Sequence, residues 1–276
     1  MANAPAAPNN ARQTGTGTSG RAPITARTLR TDAWWAYPAS TFTVLLAFVL
    51  YSTYAALANR DYYADPYLSP FYSPCLSTNC GAVPGSAGAP HLGWFGNWWI
   101  VTPAVLILIF PLGFRLTCYY YRKAYYRSFW LSPPACAVPE PRHRYTGETR
   151  FPLILQNIHR YFFYAAVAFN LILTWDAVIA FDFDGHIGIG VGSVVLVINA
   201  VLLWMYTLSC HACRHVVGGR INNFSRHPVR YRLWTWVSRI NPIHGRLAWA
   251  SLVWVALTDL YVRLDAAGVL HDPRFV

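Results

Sequence analysis

The sequence predicts an all-α integral membrane protein, a five-helix transmembrane bundle with its N-terminus cytoplasmic and its C-terminus external. Three observations lead there. Apolar residues make up 55% of the 276 and charged residues only 12%, about half the charged share of an ordinary soluble domain. Five runs approach or exceed the roughly 20 apolar residues needed to cross a bilayer as a helix. The basic residues also crowd into alternate connections between those runs, as the positive-inside rule requires. The net charge of +11 therefore reads as membrane topology, and nucleic acid is excluded as a partner.

Residues 1–26 are rich in Ala, Pro, Thr and Gly, bury too little to order themselves, and are expected to form a flexible cytoplasmic tail. They lack the apolar core of a signal peptide, so the first span is expected to direct membrane insertion. Residues 27–276 then read as a single membrane domain. Its spans lie near Ala36–Ala58, Trp98–Tyr121, Leu153–Ala180, Gly188–Ala212 and Leu247–Leu264. Trp34, Trp35, Tyr62, Tyr63, Trp98, Trp99 and Tyr119 to Tyr121 flank the spans where aromatic belts meet the headgroups. Pro103 and Pro111 fall inside the second span and are expected to kink it, which a bundle tolerates.

Orientation follows from the arginines. Of the 22 Lys and Arg residues, all but Arg60, Arg263 and Arg274 lie on the side of the N-terminal tail, while Asp61, Asp65, Asp182, Asp184, Asp265 and Asp272 collect opposite. Topology in turn separates the cysteines. Cys75 and Cys80 fall in an external loop, where an oxidising exterior favours a short-loop disulfide over free thiols. Cys118, Cys210 and Cys213 fall at cytoplasmic ends of spans and Cys136 in a cytoplasmic loop, where thiols stay reduced and can bind metal.

The run Cys210-His211-Ala212-Cys213-Arg214-His215 concentrates soft and imidazole donors at one membrane depth. Residues three or four apart share a helix face, so Asn199, Tyr206, Cys210 and Cys213 would form one stripe. His159 heads a stripe of small residues on the third span, and His244 heads another on the fifth. Cys210, Cys213, His159 and His244 are thus the expected metal ligands, with Cys118, His211 and His215 as substitutes. Two thiols and two imidazoles suit a tetrahedral zinc, a Rieske-type [2Fe–2S] cluster, or, with the cysteines idle, a b haem held for example by His159 and His211. Against this stands the ordinary role of a buried Cys as a small hydrophobe. Tyr119, Arg160 and Arg214 lie at a depth suited to quinone carbonyls. Asp176 and Asp259, near the external ends of their spans, either pass protons or simply reach water.

The segment Asp61-Tyr-Tyr-Ala-Asp-Pro-Tyr-Leu-Ser-Pro-Phe-Tyr-Ser-Pro-Cys75, the Cys-His-Ala-Cys-Arg-His run and the entry Arg-Thr-Leu-Arg-Thr-Asp-Ala-Trp-Trp resemble the membrane-anchor subunit of actinobacterial succinate dehydrogenase, complex II. The resemblance runs from Arg27 onward. It implies a multi-pass subunit of the bacterial plasma membrane that docks a flavoprotein and an iron–sulfur subunit and reduces a membrane quinone. It further implies a Rieske-type [2Fe–2S] cluster, with b haem as the alternative. The soluble Rieske pattern of Cys-x-His with Cys-x-x-His is not followed, because here the ligands come from separate helices. The residues carry no phosphate-binding glycine loop, flavin fingerprint or nucleophile–His–acid set, so the chain alone is not expected to oxidise succinate. A transporter would show repeat symmetry and broken helices, and the five spans are unlike one another. A metal-free scaffold is the remaining alternative.

Overall fold

A computed structural model describes residues 28, 30–75, 102–141 and 151–275. The tail up to residue 26, the start of the second span and Cys80 lie outside the described residues. Within them, four helices are long and apolar enough to cross a membrane, or five if one sharply bent pair counts as a single span.

Helix α1 (Ala36–Ala58) has the bounds expected for the first span. Helix α2 (Pro103–Thr117) begins at Pro103, which does not kink it: proline is well placed at the first helical position, where its missing N–H is not needed. Pro111 does lie inside α2. The second span does not continue to Tyr121. It breaks at Cys118, and α3 (Tyr119–Ser128) leaves at 78°. Helix α4 (Phe151–Ile179) forms the third span. Helix α5 (Val191–Leu208) stops before Ser209-Cys210, and the short α6 (His211–Gly218) follows. Helix α7 (Pro228–Ile240) passes through a 3-10 turn, Asn241–Ile243, into α8 (His244–Ala266). Helix α5 packs between α4 and α8, and α2 packs on α4. The α2–α4 approach is close, since a Cβ on Gly113 would fall 2.2 Å from the Phe162 ring.

Two small hairpins lie at the aspartate-rich end: β1 (Tyr63–Ala64) with β2 (Tyr67–Leu68), and β3 (Asp182–Phe183) with β4 (His186–Ile187), both antiparallel. The second turns through Asp184 and Gly185, whose φ values of 54° and 83° are the paired left-handed residues of a type I′ turn.

The Pro/Tyr-rich segment after α1 is clasped by one buried ion pair. Asp259 is 0% exposed and accepts from Arg263 Nε at 2.8 Å, from the Tyr51 hydroxyl at 2.6 Å and from Ser69. Arg263 in turn donates to the carbonyls of Ala55 at 2.8 Å and Arg60 at 2.7 Å. Asp259 therefore does not reach water, contrary to the simpler sequence expectation; it ties α8 to the loop and to the end of α1. Asp176 is partly buried and accepts from Ser73 in the same segment. Cys75 is buried and disulfide-bonded.

Replacing Asp259 by Ala would strand the Arg263 cation, at about 3–5 kcal/mol. Tyr51→Phe removes one hydrogen bond, at about 1 kcal/mol. Equilibrium unfolding in mixed micelles checks that order, and equal losses for the two variants would refute the clasp.

Candidate functional site

Both helix breaks at the arginine-rich end place a cysteine between two helices. Cys118 has φ −66° and ψ 133°, and Cys210 has φ −68° and ψ 146°. These extended residues precede α3 and α6, so each thiol sits at a helix N-terminus, where unsatisfied N–H groups favour negative charge. The Cys210 sulfur accepts the Ala212 N–H at 3.4 Å.

The residue before each cysteine carries a hydroxyl, and the two hydroxyls order the two imidazoles in a crossed arrangement. Thr117 Oγ1 donates to the Gly113 carbonyl at 2.7 Å and lies 2.8 Å from His159 Nδ1. With its proton committed to that carbonyl, the hydroxyl accepts Nδ1–H, and the Nε2 lone pair of His159 faces the Cys210 sulfur at 3.0 Å. Ser209 repeats the device. Its hydroxyl donates to the Tyr206 carbonyl at 3.0 Å and lies 2.8 Å from His244 Nδ1, and His244 Nε2 faces the Cys118 sulfur at 3.5 Å. An imidazole whose far nitrogen is fixed by a partner, with the near nitrogen bare, has the arrangement of a metal-ligating histidine.

The four side chains are almost wholly buried, His159 at 8% and His244 at 2% exposure, with Cys118 at 2% and Cys210 at 1%. Aromatic rings cover the imidazoles. Phe114 stacks on His159 with centroids 4.8 Å apart, and Tyr206 stacks on His244 at 4.9 Å. All four donors line one cavity of about 520 Å³ that also reaches Tyr119, Arg160, His211 and His215. Tyr119, Arg160, His211 and His215 are exposed and form its outer rim.

Cys213 stands apart from these four. It was expected beside Cys210 because a continuous helix would put both on one stripe. The break at Ser209-Cys210 interrupts that stripe, and Cys213, buried in the same core cluster as Cys118 and Cys210, is outside the residues that line the cavity. Its place is taken by Cys118, which the second break carries to His244. Arg214, expected near a quinone, is also outside the lining and stacks over the Trp234 ring at 4.8 Å. His211 packs its ring against His215 at 4.7 Å, while His159 faces Cys210. The signal that reasoning from the sequence passed over is a repeated dipeptide, Thr117-Cys118 and Ser209-Cys210, each at the end of an apolar run.

Among the described residues, no three His, Cys, Asp or Glu side chains converge closely enough to cage a single ion. The donors come as two His–Cys pairs. The chemistry of the donor set, two thiols and two oriented imidazoles, fits a Rieske-type cluster.

The chain matches the family described as actinobacterial succinate dehydrogenase subunit SdhC over residues 36–268. Among solved structures it is similar to a chain of the Mycobacterium smegmatis Sdh1 complex in the apo form, at 55% identity and a TM-score of 0.80, covering 93% of this chain and 97% of that one. No curated protein matches.

Proposed function

This chain belongs to the actinobacterial succinate dehydrogenase SdhC family, and from its site we propose that it holds a Rieske-type [2Fe–2S] cluster between a docked iron–sulfur subunit and a membrane quinone. Family membership makes the chain a succinate dehydrogenase membrane anchor. The cluster reading is carried by one observation: two thiols, Cys118 and Cys210, and two imidazoles, His159 and His244, each oriented by a neighbouring hydroxyl, line one buried cavity.

Cys118, Cys210, His159 and His244 are the proposed ligands. When bound, such a cluster supplies one-electron transfer at roughly −150 to +300 mV, a range raised by its imidazole ligands. The remaining work belongs to the protein. Thr117 and Ser209 hold both imidazoles in the tautomer that presents a bare Nε2. The helix breaks leave backbone N–H groups beside the thiols, as with the Ala212 N–H on the Cys210 sulfur, ready to donate to ligating sulfur. Phe114 and Tyr206 exclude water from the inner side, which keeps the site at low dielectric.

The arginine-rich end is the proposed docking side, cytoplasmic by the positive-inside rule. There α3, α6 and α7 leave the bundle, and α7 exposes Val229, Tyr231, Leu233 and Trp236. Large exposed side chains of this kind suit the aromatic centre of a protein interface. A flavoprotein bound through the iron–sulfur subunit would deliver electrons from succinate to this face. Tyr119 and Arg160, on the rim of the cavity, lie between that face and the four ligands.

Three single variants of the purified complex test the ligand set. Cys118→Ala and Cys210→Ala should each abolish the low-average-g paramagnetic signal and quinone reduction, while dye-linked succinate oxidation by the soluble subunits persists. Cys213→Ala should keep all three. Loss of the signal in the Cys213 variant with retention in the Cys118 variant would reverse the assignment. Thr117→Val and Ser209→Ala, which free one Nδ1–H each, should weaken metal retention by roughly 10–100-fold, read as iron content after chelator challenge.

A further inference from the structure

Arg115 is a partly buried cation in the last turn of α2. It stands in the wall of a second cavity, of about 130 Å³, that lies deeper in the bundle where α1, α2, α4, α5 and α8 meet. Most of that wall is apolar, including Phe48, Leu108, Phe169 and Leu203. A charge within a span is costly, and such residues ordinarily pair with an opposite charge or serve a function. The ion pairs among the described residues are Arg30–Asp32, Arg60–Asp61 and Arg263–Asp259, and none involves Arg115.

Its guanidinium meets neutral groups instead: the Tyr121 hydroxyl, and the Ala248 carbonyl and Ser251 hydroxyl, each at 3.3 Å. These contacts tie α2 to α8 without supplying negative charge. The carbonyl end of α2 offsets part of the cost through its partial negative charge, and a net positive centre is left inside the bundle.

That centre adjoins the four ligands. Phe114 lines the deeper cavity and stacks on His159, and Tyr206 lines it and stacks on His244 with centroids 4.9 Å apart. Arg115 Cζ lies 5.0 Å from the centre of the same Tyr206 ring. Along the backbone, the Arg115 carbonyl accepts the N–H of Cys118 at 3.1 Å. The two steps across Tyr206 put the cation at most about 10 Å from the His244 ring, and at that range, with an effective dielectric of about 20, a unit charge shifts a one-electron equilibrium by roughly tenfold.

We propose that Arg115 is the fixed counter-charge for the electron held at Cys118, Cys210, His159 and His244, and that it raises the reduction potential of that centre. The inference rests on the cluster reading. In a bound [2Fe–2S] cluster two thiolates and two sulfides balance two ferric ions while the imidazoles are neutral, so the added electron is one uncompensated negative charge. That electron comes from succinate through the docked iron–sulfur subunit and leaves to the quinone. No bond forms or breaks at Arg115 and no proton moves to or from it, since a guanidinium keeps its charge in proteins. A cation already in place in a water-poor interior stabilises arriving charge without reorganisation. The imidazole ligands raise such a potential from within the ligand set, and Arg115 adds to it from outside. Its hydrogen bonds to α8 hold the charge at its place and are a separate, structural contribution.

Potentiometric titration of the low-average-g paramagnetic signal in the intact purified complex reads this effect without turnover. Arg115→Gln keeps an N–H donor but removes the charge. It should shift the one-electron equilibrium roughly tenfold against reduction, a midpoint lower by about 59 mV. Arg115→Lys keeps the charge and should hold the midpoint near the wild-type value. Ser251→Ala removes one contact of the guanidinium with its charge in place, and should do the same. Iron content equal to wild type in all three variants is the control for assembly. A midpoint unmoved by Arg115→Gln would overturn the counter-charge role, as would one moved equally by Arg115→Lys or Ser251→Ala. Loss of the cluster from either Arg115 variant would make the residue a structural tie and overturn the role as well. A wild-type complex with no such signal would remove the cluster reading itself, and this role with it.

Discussion

A buried imidazole in a membrane bundle must have both nitrogens accounted for, because nothing in hydrocarbon replaces a missing partner. In this protein that constraint is met twice by one device. A hydroxyl whose proton is committed to its own helix backbone accepts the Nδ1–H of a histidine on a neighbouring helix, and the bare Nε2 turns to a thiol. The packing around the site follows from it. Thr117 on α2 orders His159 on α4, and Ser209 after α5 orders His244 on α8, so the four helices are registered against one another at one depth. The close α2–α4 contact at Gly113 brings Thr117 within reach of His159.

The helix breaks make this possible and also shape the surface. A helix running on through Cys118 or Cys210 would use the N–H groups of the following turn in its own ladder. Stopping at each cysteine opens a new N-terminus beside the thiol, and at Cys118 it turns α3 away from α2. The same two breaks therefore shape both the buried His–Cys pairs inside and the helices that follow them at the arginine-rich end. At the opposite end the Asp259–Arg263 pair performs the complementary task, sealing the loop onto the bundle with a saturated set of hydrogen bonds. One end is held closed and the other is built to receive.

Between the ends, Phe114 and Tyr206 separate two cavities of different character. The larger opens among exposed Tyr119, Arg160, His211 and His215; the smaller is apolar with a lone arginine. The stacked rings keep each imidazole within one ring of the inner cavity.

The spans were legible from the residues because apolar run length is a local property: α1 matches its expected bounds, and α4 and α8 lie within a few residues of theirs. The depth of Cys118, Cys210, His159 and His244 was legible for the same reason. Which thiols share a site was not, since helical periodicity extrapolated through Ser209 placed Cys213 where the structure has Cys118. A break in a helix depends on what neighbouring helices offer the freed backbone and hydroxyl groups, and that offer exists only after α2, α4, α5 and α8 have packed. Sequence alone determined the rods and the chemistry at their ends; only tertiary structure decided how those ends are paired, because the pairing lies between helices far apart in the chain.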